Sequence, residues 1–193
     1  MKPQALEKAR RRLRVASNAL DQVRTATSDD EFDDAWFVFL TSWKGIYTTL
    51  EQGAKDSAKS RQWFGGKKAE RKRTDYLQYL FIARNDEEHG LGQSVGVGVK
   101  GSIRLVPGPN AKPGEPMHYS WDVDPTGVSG RMELVKEVLG RHLGPVKDRD
   151  GTEIEAPWLH NGGNPLFTPV EIGRLAISYA ETLLQEAKLL QTT

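Results

Sequence analysis

The stretch Phe32-Asp33-Asp34-Ala35-Trp36-Phe37-Val38-Phe39-Leu40-Thr41-Ser42-Trp43-Lys44-Gly45-Ile46-Tyr47-Thr48-Thr49-Leu50 decides the fold. Phe32, Ala35, Trp36, Phe39, Leu40, Trp43, Ile46, Tyr47 and Leu50 recur at steps of one, three and four, so they share one side of an α-helix. A stripe this wide, with two tryptophans in it, predicts the central helix of a core. Ser28 with Glu31 three residues later is a capping-box signature, and Asp29 and Asp30 suit a helix N-terminus. Gln52-Gly53 reads as the stop, giving a helix over about 29–52.

Working outward, residues 4–26 predict an amphipathic helix on Leu6, Ala9, Leu13, Ala16, Leu20 and Val23, with arginines on the other face. Residues 54–66 are polar and basic and read as a loop punctuated by Gly65-Gly66. Its Trp63-Phe64 pair either stacks on a base or folds back onto the helices. A third helix is predicted over 67–89, basic at first and apolar after Tyr76, with Gly90 ending it. Residues 94–106 alternate small and β-branched residues, as a strand does. Their glycines are no phosphate loop, because the Gly-Lys-Ser/Thr ending is missing. Residues 118–123 read as a second strand, forming a hairpin with the first across a proline-rich connection. A short helix is predicted over 130–143 on Met132, Val135, Val138 and Leu139. Lys147–Glu153 reads as an Asp-Gly hairpin turn; it lacks the ligand spacing of a calcium loop. Residues 157–165 read as a loop in which His160 stands apart from other ligand-type side chains. Thr168-Pro169-Val170-Glu171 starts a last helix, 169–190, on Ile172, Leu175, Ala176, Tyr179, Leu183, Ala187 and Leu190.

Four amphipathic helices and one β-rich stretch predict a mainly α (α+β) fold. In it a four-helix bundle, about 4–90 and 168–191, carries a β-rich insertion, about 91–165, between helices 3 and 4 of a single domain. The 193 residues include no cysteine, which excludes disulfides, thiolate catalysis and cysteine-bound zinc. No apolar run approaches the roughly 20 residues that cross a bilayer, and no secretory signal is seen at the start. The expectation is a soluble, cytoplasmic protein. Charge is unevenly spread. Lys2, Lys8, Arg10, Arg11, Arg12 and Arg14 form one basic block, and Lys55, Lys59, Arg61, Lys67, Lys68, Arg71, Lys72 and Arg73 a second. Such blocks are either a polyanion footprint or a solvated face. The second leads straight into the third helix, so Lys67, Lys68, Arg71, Lys72 and Arg73 are the candidate RNA contacts.

That helix ends in Arg84-Asn85-Asp86-Glu87-Glu88-His89-Gly90. Leu77, Leu80, Phe81, Arg84 and Glu88 share a stripe, so Arg84 is aimed at the core side. Around a continuous helix Arg84 and His89 stand about 140° apart. They meet one cleft only at the edge of the stripe or where the last turn unwinds. A guanidinium grips a phosphate with parallel hydrogen bonds and keeps its charge. A histidine moves protons near neutral pH. Together they suffice to cleave an RNA phosphodiester through its 2′-hydroxyl. The structural alternative pairs Arg84 with Glu88 and sets His89 at the helix C-terminus.

Four helices with Arg84-Asn85-x-x-x-His89 on the third resemble the HEPN superfamily (higher eukaryotes and prokaryotes nucleotide-binding). The resemblance covers about 1–90 and 168–193, not the insertion. It implies a metal-independent, cofactor-free RNA endonuclease: a toxin or defence effector, acting as a homodimer with a composite active site and checked by a protein inhibitor or antitoxin. His89 would transfer the proton, Arg84 hold the scissile phosphate, and Asn85 orient the pair. Some members use the fold only to bind nucleotide or protein. Where one branch has a regulatory tyrosine this chain has Leu91. The polar partner that many members carry in the second helix is unassigned among Thr41, Ser42 and Lys44. Asp86, Glu87 and Glu88 bring negative charge beside the phosphate site, at about 1 kcal/mol per close exposed pair.

Overall fold

The stripe of residues 32–50 forms the heart of helix α2 (Asp29–Ala54) in a computed structural model that describes residues 1–89, 94–107, 109–110, 119–120, 129–157 and 168–191. The nine stripe positions from Phe32 to Leu50 are all buried, while Phe37 and Val38 on the other side are exposed. Trp36 stacks on Phe39 at 5.2 Å between centroids. Ser28 Oγ accepts the Glu31 N–H at 3.2 Å, and the Glu31 carboxylate reaches Thr27, so the start is capped as expected. Helix α1 (Pro3–Thr25) lies along α2 and buries Leu6, Ala9, Ala16, Leu20 and Val23.

The expected stop at Gln52-Gly53 is corrected, because α2 continues through Gly53 to Ala54. Gly53 is a close-approach residue: a Cβ there would run into the Ala5 Cβ of α1 and lie 2.9 Å from Met1 Sδ. Alanine gains up to ~1 kcal/mol in helix propensity, whereas overpacking costs about 1–3 kcal/mol. The Ala5 methyl has no rotamer to swing away, so Gly53→Ala is expected to lose about 1–2 kcal/mol net in urea unfolding. A stabilised variant would mean that α1 and α2 separate freely.

The segment expected as a loop is largely helix α3 (Ala58–Arg73). Ser57 caps it, its Oγ accepting the Ser60 N–H at 3.2 Å. Phe64 is buried edge-on against Tyr47, and Trp63 Nε1 donates to Glu186 at 2.8 Å. The aromatic pair thus folds back onto the helices. Tertiary burial of Phe64 outweighs the poor helix propensity of Gly65-Gly66. Extended Thr74 ends α3, and α4 (Asp75–His89) starts directly after it. The expected 67–89 helix is therefore two, and the β segment follows the fourth helix rather than the third. Helix α5 (Pro169–Leu189) opens on a complete capping box between Thr168 and Glu171 and buries Ile172, Ala176, Leu183 and Ala187. Leu175, expected in its stripe, is 41% exposed. Five helices make the described residues mainly α; none is long and apolar enough to cross a membrane.

Strands β1 (Val95–Val106), β2 (Tyr119–Ser120) and β3 (Gly130–Leu143) form a sheet in the order β1-β3-β2. Two expectations fail here. Residues 130–143 are a strand, since spacings of three and one on four apolar residues do not exclude extended chain when a long neighbour supplies the backbone partners. The second strand pairs in parallel with β3, Tyr119 opposite Gly130, and makes no hairpin with β1. Strands β4 (Val146–Lys147) and β5 (Glu153–Ile154) form the expected Asp-Gly hairpin, with Gly151 at φ +84°, where glycine carries no Cβ penalty. Two compact units result: Met1–Gly96 with His142–Thr193, and Val97–Arg141. The β4–β5 hairpin therefore belongs with the helices, its Val146 fully buried against α4. The loop around His160 lies outside the described residues.

Candidate functional site

The apolar stripe of α4 buries Leu77, Leu80 and Ala83 and brings Asn85 to 8% exposure. A buried amide needs a partner, and Asn85 Oδ1 accepts from Lys44 Nζ of α2. Lys44 is thus the polar residue of the second helix that meets the motif. One turn earlier on α4, the Phe81 ring carries two cations: Lys44 Nζ at 4.5 Å and Arg71 Cζ at 3.8 Å from its centroid. Arg71 is 7% exposed and donates from Nη1 to Gln78 Oε1 at 2.9 Å. Arg84 is half-buried, and burial lowers its pKa without discharging it. Arg149 stands in the β4–β5 turn, which is fastened to α4 by the Lys147 N–H donating to Asp86 Oδ2 at 3.0 Å.

The electrostatic result shows at Lys44. Burial first, then the charges of Arg84, Arg149 and Arg71, pull its ammonium down to about 8. Among the described residues, Lys44, Arg71 and Arg149 take part in no ion pair. The partners of Lys44 and Arg71, which are Asn85, Gln78 and Phe81, are neutral, so these contacts leave both charges uncancelled.

The motif acids are spent differently. Glu87 Oε1 accepts the Ser94 N–H at 2.9 Å and its hydroxyl at 2.7 Å, while Trp36 Nε1 donates to the same hydroxyl at 2.9 Å. The Tyr79 hydroxyl lies 2.7 Å from the Gly144 carbonyl and 3.1 Å from that of Ser94. The Gly144 N–H donates to the Ser94 carbonyl at 2.9 Å. Burial pushes the Tyr79 phenol up, and the charges of Glu87 and Asp86 add to it. Asp86 and Glu87 therefore fasten the entry and exit of the β segment. The side chains of Glu88 and His89 lie outside the described residues. Helix α4 persists through His89, so around its axis His89 stands about 40° from Asn85 and about 140° from Arg84.

The five expected RNA contacts all lie in the last two turns of α3 but have different partners. Lys67 Nζ lies 2.9 Å from both Glu70 and Glu186; burial opposes its charge, but these bonds outweigh it and raise its pKa. Lys68 pairs with Glu51. Arg71 packs on Phe81, one turn before Arg84, and Lys72 and Arg73 are exposed. Arg149 was missing from the sequence reading, since a residue in a polar turn gives no signal of its tertiary neighbours. Lys44 gave one: a lysine inside an otherwise apolar helix. Among the described residues no cluster of three or more metal-ligating side chains occurs. Compared with family models, with curated proteins and with solved structures, the chain matches none.

Proposed function

We propose that this protein is a metal-independent RNA endonuclease of the HEPN type, working at Arg84, Asn85 and His89. The observation that carries the reading is the cation cluster built onto the motif: Lys44 bonded to Asn85, with the charges of Arg71, Arg84 and Arg149 bearing on it. A site of this sign attracts a phosphodiester and stabilises the charge that develops on it. In the proposed reaction the 2′-oxygen attacks phosphorus and the P–O5′ bond breaks. His89 takes the 2′-hydroxyl proton, one proton is delivered to O5′, and a 2′,3′-cyclic phosphate and a 5′-hydroxyl result. RNA is required because DNA lacks that nucleophile. The family analogy adds a homodimer with a composite cleft and a toxin or defence role under an inhibitor protein. A non-catalytic module for nucleotides or proteins is the second reading, since the same cations hold a phosphate without cleaving it.

The test is incubation of purified protein with RNA under chelator, wild type against His89→Ala. Cleavage that survives chelation and falls by about 10²–10⁴-fold in the variant is expected. Equal cleavage by both overturns the assignment; RNA binding with no cleavage by either leaves the non-catalytic module.

A further inference from the structure

We infer that Lys44, Arg71 and Arg149 form a second phosphate subsite, which holds a backbone phosphate of single-stranded RNA beside the one at Arg84. This rests on the reading of the site as an RNA-cleaving centre and extends it to residues outside the motif. Lys44 of α2 and Arg71 of α3 both lie over the Phe81 ring, and the charge of Arg149 in the β4–β5 turn acts on Lys44, although nothing in their local sequence requires it. Their packing partners leave the charge standing: Lys44 bonds an amide and faces an aromatic ring, and Arg71 does the same with Gln78 and Phe81. Cation–π contacts and neutral acceptors hold a desolvated cation in place without cancelling it.

The chain supplies its own comparison. Lys67 and Lys68, on the same helix as Arg71, each have a glutamate partner. Those two lysines have their charge cancelled by a carboxylate, whereas Arg71, deeper in the fold, meets only an amide and a ring. A buried arginine such as Arg71, at 7% exposure, is costly without an anion. A phosphodiester brings one charge and two unbridged oxygens. After its bond to Asn85 the Lys44 ammonium keeps two donors, and Arg71 keeps those its Gln78 bond does not use. Arg149, exposed in its turn, is free to close over the same group. Asp86 is then a positioning residue, because it anchors the turn that brings Arg149 there.

The experiment measures binding apart from cleavage, with a fluorescent 2′-O-methyl oligonucleotide, whose blocked 2′-oxygen cannot attack. Lys44→Gln, Arg71→Gln and Arg149→Gln are compared with Arg174→Gln, an exposed arginine of α5. Each of the three is expected to weaken binding about five- to tenfold and to shrink the slope of log affinity against log salt by a part of the roughly 0.7 that one neutralised phosphate contributes on a single strand. Arg174→Gln keeps the wild-type slope. Because Arg149 is exposed, its variant keeps the answer readable even where Arg71→Gln unfolds. Wild-type affinity is expected to fall as pH rises through about 8, as Lys44 loses its proton among Arg84, Arg71 and Arg149, and Lys44→Gln to lack that fall.

Unchanged affinity and salt slope in Arg149→Gln and Lys44→Gln overturn the subsite. Displacement of the oligonucleotide by adenosine 5′-monophosphate at equal affinity also overturns it, in favour of a site for free phosphate monoesters. If wild type cleaves no RNA but the three variants lose binding as described, the subsite stands and the nuclease reading fails.

Discussion

Arg84→Lys is expected to lose RNA cleavage by about 10²–10³-fold at pH 8, the scale of one lost oxyanion donor, and to recover part of that loss at pH 6. Two effects combine. Lysine replaces a planar fork by a point charge, so the two-bond grip on phosphate is gone at every pH. It also replaces a permanent cation by one that titrates. The position is half-buried and its charge acts on Lys44, already pulled down to about 8 by burial and by the neighbouring guanidinium groups. A second ammonium there competes with Lys44 for protons, and at pH 8 the pair carries less charge than two cations. At pH 6 both are charged, and the remaining deficit is geometric. Initial rates under chelator from pH 6 to 8.5, on variants of matched thermal stability, test this. Wild-type rates at pH 8, or a loss that does not change with pH, would remove the need for a permanent cation.

Trp43→Ala is expected to lower the unfolding free energy by about 3–5 kcal/mol, the range for truncating a large buried aromatic. Trp43 is 1% exposed, lies 6.1 Å from Tyr47 between ring centroids, and donates from Nε1 to the Ala176 carbonyl of α5 at 3.1 Å. It is therefore both filler and tie between two helices far apart in sequence. Trp43→Phe keeps most of the apolar area and is expected to lose about 1 kcal/mol from the hydrogen bond and a smaller amount from the gap. Urea unfolding measures both. A loss below ~1 kcal/mol for the alanine variant would move the centre of the core away from α2.

What could be read in advance follows from how local each signal is. The stripe of α2, the capping box of α5 and the Asp-Gly turn are set by residues within a few positions of each other, and each stands where the sequence puts it. Helix α3 was hidden because it has little stripe: Trp63 and Phe64 are its only large apolar residues, and Gly65-Gly66 argues against a helix. Its Ser57 cap was the one local clue. Strand β3 was misread because its partner β1 lies far back in the chain, and strand pairing is decided by the partner. The site divides in the same way. Arg84 and Asn85 announced themselves as a motif, whereas the association of positions 44, 71 and 149 with them exists only after folding.

The latch at Ser94 and Gly144 has an evolutionary consequence. The Ser94 and Gly144 backbones, which flank the long β segment in the chain, are joined by a hydrogen bond and held by Tyr79. The 45 residues of Val97–Arg141 between them form one compact unit. Closing a loop costs little more when it is longer, roughly 0.6 kcal/mol per doubling. Descendants of this scaffold are free to trade one such unit for another of different length and keep the helices as they are, provided Trp36, Tyr79 and Glu87 still hold the latch.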